Sequence, residues 1–219
     1  MLSKNEEDYL KVLYHLVNEE DGEEVSSKSL ADYLEISPAS VSGMLKKLKG
    51  KELVTHEKYG KLSLSDKGHD IALTLIRKHR LWETFLHRHM NFSWDEVHDV
   101  AEQLEHIRST KLIDELERFL DYPKQDPHGD PIPDAKGRIQ SLETVALSTL
   151  EVGDKCRLIS VSDGSVAFLK YVSQIGLALS SEIEVLDHRE FDGSLLIRFN
   201  DKEESVSRTF AEFVFVEKI

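Results

Sequence analysis

Two histidines and two glutamates recur at helical spacing between residues 97 and 107. Spacings of three and four residues bring side chains together on one face of a helix. These four residues are His98, Glu102, Glu105 and His106. Imidazole and carboxylate groups together suit a divalent transition metal. A solvated, charged helix face is the commoner meaning of such a pattern, so the rest of the chain has to decide between the two.

Further potential metal ligands occur elsewhere in the chain: Asp8, His79, Glu83, Asp126 and His128. None of them is a thiol, whereas structural zinc sites usually recruit cysteines. Oxygen and imidazole ligands suit Mn²⁺ or Fe²⁺, and by affinity order they also accept Co²⁺, Ni²⁺ or Zn²⁺. The residue types therefore predict Mn(II) or Fe(II) as the cofactor.

The charge of the chain is unevenly distributed. The 219 residues carry a formal net charge of -13, but the segment from residue 37 to residue 68 holds seven lysines against three acidic residues. A basic patch on an acidic chain is compatible with DNA binding. The single cysteine excludes an internal disulfide, and no apolar run reaches the length of a membrane-spanning helix. We therefore expect a cytoplasmic protein with no membrane partner.

The first 72 residues show the element order of a winged helix-turn-helix domain. Apolar positions predict helices from Glu7 to Asn18 and around residues 30–34, and Ser37 with Pro38 begins a third helix. Two short alternating segments, at residues 53–57 and 61–64, then predict a β-hairpin that forms the wing. In this fold the third helix enters the major groove of double-stranded DNA.

The predicted third helix and wing contain small residues and lysines. They allow close approach to phosphates and neutralise their charge. The predicted DNA-binding residues are Ser37, Pro38, Ala39, Ser40, Ser42, Gly43, Lys46, Lys47, Lys58 and Lys61. Helix-turn-helix domains also serve as dimerisation or protein-binding modules, but the local charge favours DNA here.

The remaining residues predict two further domains. Residues 73–140 hold three apolar helices and an irregular loop at residues 122–133, which contains four of the five prolines. Such helices commonly pair with a second copy of the chain, so this region is predicted to bind metal and to dimerise. After a linker at residues 139–149, residues 150–219 alternate short β segments with turns and predict a small β-barrel. The predicted fold class is mainly α with a small β domain.

Several ordered motifs resemble the diphtheria-toxin-repressor family of metal-dependent transcriptional repressors, in its three-domain form. The resemblance covers essentially the whole chain. Its motifs are Glu7-Asp8-Tyr9-Leu10, Ser40-Val41-Ser42, Arg77-Lys78-His79-Arg80-Leu81, Val97-His98, Glu102-Gln103-Leu104-Glu105-His106 and His128-Gly129-Asp130-Pro131-Ile132-Pro133. The C-terminal region is similar to the SH3-like (FeoA-like) domain of the family, with Ile175-Gly176-Leu177 at its usual turn.

The resemblance implies a primary, activating metal site formed by Asp8, Glu102, Glu105 and His106. Iron-sensing members have a methionine and a cysteine at the positions of Asp8 and Glu102, so two acidic residues are similar to the manganese-type branch. Lys11 departs from the small two-domain manganese regulators, which have a glutamate there that helps to bind a second metal close to the first. This departure puts a binuclear site of that kind in doubt.

An ancillary metal site is implied in two versions. One consists of His79, Glu83 and His98. The other, found in manganese-uptake repressors, consists of Glu83, Asp126, His128 and Asp163, with a cysteine usual at the position of Asp126. The sequence does not choose between them.

The leading hypothesis is a homodimeric repressor of metal-uptake genes that binds a palindromic operator when Mn(II) or Fe(II) occupies two sites per subunit. The alternative is a metalloenzyme of the hydrolase or di-iron carboxylate type. No His-Glu-x-x-His motif and no pair of Glu-x-x-His elements occurs, so we expect no enzymatic activity. A third hypothesis is peptide recruitment by the barrel, for which the sequence shows no aromatic-lined groove.

Overall fold

The computed structural model describes residues 2–18, 25–56, 62–140 and 142–219. The chain forms two compact units. The first consists of Met1–Lys78, Glu105–Arg108 and Pro133–Arg138, and the second of His79–Leu104, Ser109–Ile132 and Ile139–Ile219. The division of the chain into domains at 1–72, 73–140 and 150–219 stays a prediction.

Serine caps define the starts of helices in the first unit. Its first three helices are α1 (Lys4–Asn18), α2 (Ser27–Tyr33) and α3 (Pro38–Gly50). Ser26 Oγ accepts a hydrogen bond from the Ser29 amide, and Ser37 Oγ accepts one from the Ser40 amide. These bonds satisfy amides that have no partner in a first helical turn. The buried leucines and valine of the three helices include Leu10, Leu13, Leu30, Val41, Leu45 and Leu48.

A two-stranded sheet follows α3. Strands β1 (Val54–His56) and β2 (Leu62–Leu64) pair antiparallel, as predicted for the wing. The fourth helix, α4 (Asp66–Met90), begins directly after β2 and passes close to residue 53. A Cβ on Gly68 would lie 2.0 Å from the Leu53 carbonyl oxygen, so glycine permits this approach. The predicted turn of the wing, with Lys58 and Lys61, lies outside the described residues.

The second unit contains the C-terminal part of α4 and two further helices, α5 (Trp94–Leu104) and α6 (Thr110–Phe119). The sequence pattern predicted that α5 continues to Ile107, and this prediction is wrong. The helix ends at Leu104, and Glu105 and His106 form a turn. The two residues therefore leave the helix face on which the pattern placed them beside His98.

A six-stranded antiparallel sheet forms the C-terminal part of the second unit. Its order is β3-β8-β4-β5-β6-β7. The strands are β3 (Val145–Ala146), β4 (Lys155–Val161), β5 (Glu182–His188), β6 (Leu195–Phe199), β7 (Lys202–Val206) and β8 (Val214–Lys218). Helices α7 (Val166–Ile175) and α8 (Arg208–Glu212) contribute Phe168, Leu169 and Phe210 to one apolar core with the sheet.

The segment between the predicted second and third domains is partly ordered into secondary structure. It contains β3 and a 3₁₀ turn at Leu147–Thr149, where a linker was predicted. Leu147 and Leu150 belong to the apolar core of the sheet, which explains the order. Among the described residues, no helix has both the length and the apolar character needed to cross a bilayer.

Candidate metal centres and nucleic-acid interface

The first candidate metal centre lies in the first unit and joins α1 to the turn after α5. Ligand atoms of Asp8, Glu105 and His106 all lie within 4.8 Å of one another. His106 Nε2 is 3.1 Å from Asp8 Oδ1 and 3.8 Å from Glu105 Oε1. Two carboxylates and one imidazole that converge in this way form a suitable donor set for Mn²⁺ or Fe²⁺.

Glu7 orients the imidazole of this centre, and sequence reasoning missed it as a site residue. His106 Nδ1 lies 2.7 Å from Glu7 Oε2. A carboxylate accepts from Nδ1–H, so Nε2 keeps its lone pair for a metal. His106 Nε2 is buried and makes no hydrogen bond within the described residues, so the centre fits a cation.

Lys11 neutralises the most deeply buried ligand of the centre. Its Nζ donates to both Oε1 and Oε2 of Glu105, at 2.9 Å each. Glu105 is fully buried, and a buried carboxylate without a positive partner is strongly unfavourable. Lys11 therefore already supplies one positive charge to the ligand set.

Glu102, the fourth predicted primary ligand, belongs to the second compact unit. Within that unit its Oε1 lies 3.7 Å from His98 Nε2 on the preceding turn of α5.

The second candidate metal centre is built around Glu83 in the second unit. His79 and Glu83 lie one turn apart on α4, with His79 Nε2 at 3.0 Å from Glu83 Oε1. His98 Nδ1 on α5 lies 3.6 Å from the same Glu83 oxygen and 3.7 Å from Asp163 Oδ2. Ligand atoms of all four residues lie within 4.8 Å of one another.

The proline-rich loop approaches Glu83 from another direction. Ligand atoms of Glu83, Asp126 and His128 also lie within 4.8 Å of one another, and His128 Nδ1 is 3.9 Å from Glu83 Oε2. His128 Nε2 lies 2.9 Å from the Trp94 carbonyl oxygen. The carbonyl can only accept, so Nε2 carries the proton and Nδ1 keeps the lone pair that faces Glu83.

Asp126 differs from the other members of this cluster. Its Oδ1 accepts hydrogen bonds from the amides of His128 and Asp130, at 2.8 and 3.0 Å. Its Oδ2 lies 3.6 Å from Arg80 Nε. These contacts fix the conformation of the loop. Because both oxygens of Asp126 already have partners, Asp126 is less available as a metal ligand than His128.

Glu83 is thus shared by both predicted ancillary sets. Its Oε1 faces His79 and His98, and its Oε2 faces His128. Glu83 Oε2, His98 Nδ1 and His128 Nδ1 are buried without a hydrogen bond within the described residues. Such atoms are costly unless a cation or another partner satisfies them, so this centre also fits a metal.

Burial and nearby charges shift the pKa values of three groups in this cluster. Burial raises the pKa of Glu83, but the charge of His79 and its hydrogen bond outweigh burial and hold the pKa well below its ordinary value. The contact with the Glu83 carboxylate raises the pKa of His98. Burial, followed by the negative charges of Asp130 and Glu83, raises the pKa of Asp126 well above its ordinary value. Perturbed groups that cluster in this way are typical of functional sites.

One face of α3 is the candidate nucleic-acid interface. Val41, Leu45 and Leu48 are buried, so the opposite face is free to meet a partner. The predicted DNA-binding residues on this helix are all exposed: Ser37, Pro38, Ala39, Ser40, Ser42, Gly43, Lys46 and Lys47. The other two predicted DNA-binding residues, Lys58 and Lys61, lie outside the described residues.

Sequence profiles of one family match most of the chain. The N-terminal DNA binding domain of the iron dependent repressor matches residues 1–62, and its metal binding and dimerisation domain matches residues 65–134. The chain belongs to the iron-dependent repressor family. An FeoA domain matches residues 145–218.

Solved structures and curated sequences agree with this family. A manganese-dependent transcriptional repressor in complex with manganese is 35% identical, with a TM-score of 0.89, over 98% of this chain and all of that chain. The diphtheria toxin repressor of Corynebacterium jeikeium is 35% identical over 57% of this chain and 51% of its own length. The regulator MntR of Bacillus subtilis is 32% identical over 58% of this chain and 87% of its own length. The chain thus spans about half the length of the diphtheria toxin repressor and the full length of the solved manganese repressor.

Family membership confirms several sequence predictions. The resemblance to the diphtheria-toxin-repressor family was correct. So was the fold class, with a helical DNA-binding region, a helical dimerisation region and an SH3-like β domain. The family is one of transcriptional regulators rather than enzymes. The residue-level assignments of the metal and DNA sites stay predictions.

Proposed function

We propose that this protein is a homodimeric, cytoplasmic repressor that binds operator DNA when Mn²⁺ or Fe²⁺ is bound, and so controls metal-uptake genes. The observation that supports this most strongly is the convergence of Asp8, Glu105 and His106, with the lone pair of His106 Nε2 directed at the carboxylates. The matching repressors described above support the regulatory role.

We assign the primary site to Asp8, Glu102, Glu105 and His106. The ancillary site draws its ligands from His79, Glu83, His98, Asp126, His128 and Asp163, with Glu83 at its centre. The DNA contacts are assigned to the exposed residues of α3 named above, together with Lys58 and Lys61, which the sequence predicts to lie in the wing.

The switch follows from the charges of the primary site. Asp8 lies on α1, whereas Glu105 and His106 lie on a segment far away in sequence. Without a divalent cation, the single positive charge of Lys11 does not balance the two negative charges of Asp8 and Glu105, and α1 is held less firmly. A bound divalent cation supplies the positive charge that favours the closed arrangement. If DNA binds this same arrangement, metal and DNA each raise the affinity for the other.

A palindromic operator fits a dimeric helix-turn-helix protein. Two recognition helices related by a twofold axis read two half-sites about one helical turn, roughly 34 Å, apart. The symmetry of the operator then mirrors the symmetry of the protein.

Operator binding in Mn²⁺ and in excess chelator tests the proposal. We expect an operator affinity about 5–150-fold higher in Mn²⁺, the usual range of such coupling. Asp8→Ala removes a ligand and abolishes this difference, whereas Asp32→Asn, which removes an exposed carboxylate from α2, preserves it. Fluorescence anisotropy under anaerobic conditions, with buffered Mn²⁺, Fe²⁺ and Zn²⁺, measures how strongly each metal increases operator affinity. Equal affinity of the unaltered protein in chelator and in Mn²⁺ contradicts the proposed function.

A further inference from the structure

The first turn of α1 carries a buried carboxylate that does not face the candidate metal centre. Glu6 is only 5% exposed, although it directly precedes Glu7 and Asp8. A buried carboxylate is tolerated when a positive group and hydrogen bonds compensate its lost hydration. The partners of Glu6 therefore show what this turn of the helix is fixed to.

The positive partner of Glu6 is Lys51, the residue directly after α3. Lys51 Nζ lies 2.7 Å from Glu6 Oε1 and 2.9 Å from Glu6 Oε2. The Ser3 amide also donates to Glu6 Oε2 at 2.8 Å, and the Glu6 amide bonds back to the Ser3 carbonyl. The carboxylate thus fastens both the start of α1 and the end of α3.

Lys51 is rigidly connected to α3. Its backbone N–H donates to the carbonyls of Lys47 and Leu48 in the last turn of the helix. A shift of Lys51 therefore moves the end of the helix that carries the predicted DNA contacts. Since the first unit contains α1, α3 and the Asp8, Glu105 and His106 cluster, the connection lies within one compact unit.

We propose that the Glu6–Lys51 ion pair couples metal occupancy at Asp8 to the placement of α3 on DNA. Glu6 and Lys51 are positioning residues, since neither touches the metal or reads a base in this scheme. Asp8 follows Glu6 by two residues in the same hydrogen-bonded helix, so a constraint on Asp8 also constrains Glu6. The inference rests on the proposed function, because it needs both a metal-responsive Asp8 and a DNA-reading α3.

The alternative role for Lys51 is a direct contact with a DNA phosphate. Both oxygens of Glu6 already meet its ammonium group, which reduces the charge available to a phosphate. A phosphate contact would contribute to affinity whether or not metal is bound. The two roles therefore differ in how the loss of Lys51 changes the ratio of the affinities with and without Mn²⁺.

The test compares Lys51→Met, Glu6→Gln and the double variant with the unaltered protein. Operator affinity is measured by anisotropy in Mn²⁺ and in chelator, and Mn²⁺ binding to the free protein is measured by calorimetry. We expect each variant to bind Mn²⁺ within about twofold of the unaltered protein, since no metal ligand is lost. We expect the affinity ratio to fall at least about fivefold, a change within the usual range of coupling. The affinity ratio of the double variant should be no lower than that of either single variant, because both substitutions disrupt the same ion pair.

Two further variants separate coupling from charge and from folding. Lys49→Met removes an equal charge from the same end of α3, and Lys49 makes no ion pair in the part of the chain that the structure describes. It should weaken operator binding equally in both conditions and leave the ratio unchanged. Lys51→Arg keeps a positive charge that can pair with Glu6, so it should keep most of the affinity ratio of the unaltered protein. A general folding defect caused by any change at position 51 would not give this result.

The outcomes are distinct. An unchanged ratio in Lys51→Met, with affinity lower in both conditions, identifies a phosphate contact and overturns the coupling role. An unchanged ratio in Glu6→Gln also overturns it. If the unaltered protein shows no metal-dependent binding, the proposed function fails instead, and that result is visible before any variant is made.

Discussion

Lys11 is the residue that most directly affects the charge of the first candidate metal centre. Its ammonium group meets both oxygens of Glu105, so a divalent cation must share or displace this contact. A positive charge within a few ångströms also repels the incoming cation. We therefore expect Lys11 to stabilise the metal-free protein and to weaken metal binding at the same time.

Lys11→Met separates these two effects. We expect Mn²⁺ to bind about tenfold tighter, equivalent to about 1.4 kcal/mol, because a repulsive charge is lost and Glu105 is released. The metal-free protein should lose about 3 kcal/mol of stability, because the buried carboxylate of Glu105 loses the ammonium group of Lys11. Calorimetry and urea unfolding measure both quantities. Lys28→Met, at an exposed position on α2, is the matched control, and unchanged or weaker Mn²⁺ binding in Lys11→Met would show that Lys11 does not oppose the metal.

The sequence was informative about which residue types could bind metal, but not about their supporting partners. Asp8, Glu105 and His106 were predicted together, and the fold brings their ligand atoms within 4.8 Å. Glu7 could not be chosen over its acidic neighbours, because its role depends on how α1 packs against the turn that holds His106. Only the folded chain makes that contact, since the two residues are 99 positions apart.

At the scale of elements, helical periodicity predicted most helices but misplaced the end of α5. Apolar spacing continues through Leu104 to Ile107, and no glycine or proline marks a stop before Ser109 caps α6. Strand β7 has a weak sequence signal, since the sequence Lys-Glu-Glu-Ser-Val of this edge strand is mostly exposed and lacks apolar alternation.

Gly129 allows the proline-rich loop to lie against β4. Its φ is +94°, and a Cβ there would lie 2.1 Å from the Ile159 carbonyl oxygen. The neighbouring His128 also accepts a hydrogen bond from the Val161 amide at 2.9 Å, through its carbonyl oxygen. The position of His128 next to Glu83 therefore depends on a close backbone contact.

Gly129→Ala should destabilise the protein more than Gly153→Ala does. Gly153 has a similar φ of +92° but open space around a Cβ, so alanine there costs only the backbone strain, about 1–2 kcal/mol. Alanine at position 129 adds a clash with backbone atoms, and we expect at least about 2 kcal/mol more. Chemical denaturation of the two variants gives the difference. Equal destabilisation would mean that the loop moves away from β4 without cost.

At the scale of the whole molecule, an exposed aromatic surface points to self-association. On α4 and α6, the Phe119 ring lies 4.8 Å from the His89 ring and 6.0 Å from the Phe85 ring, and Phe119 is 62% exposed. An exposed phenylalanine beside other aromatic rings is often covered by a partner. The residues lie in the region that matches a dimerisation domain, so a second copy of the chain is the partner we propose.

Phe119→Asp should convert the proposed dimer into a monomer and weaken operator binding, since two half-sites are then no longer bound together. Phe191→Asp provides the control, because Phe191 is fully exposed on the loop between β5 and β6 and belongs to no ring contact in the described structure. Sedimentation velocity distinguishes the two states. A dimer that survives Phe119→Asp would exclude this surface as the interface.

The first unit is built from three separate stretches of the sequence, which limits where the chain can be cut into independent fragments. Residues 105–108 and 133–138 return to that unit after the chain has left it. A gene fragment encoding only the first 78 residues would thus supply Asp8 and α3, but neither Glu105 nor His106. The DNA-reading part cannot be transplanted to another protein as one uninterrupted stretch and keep its cation cluster. A recombination event that transfers only this stretch would separate α3 from two of the three residues of the cluster.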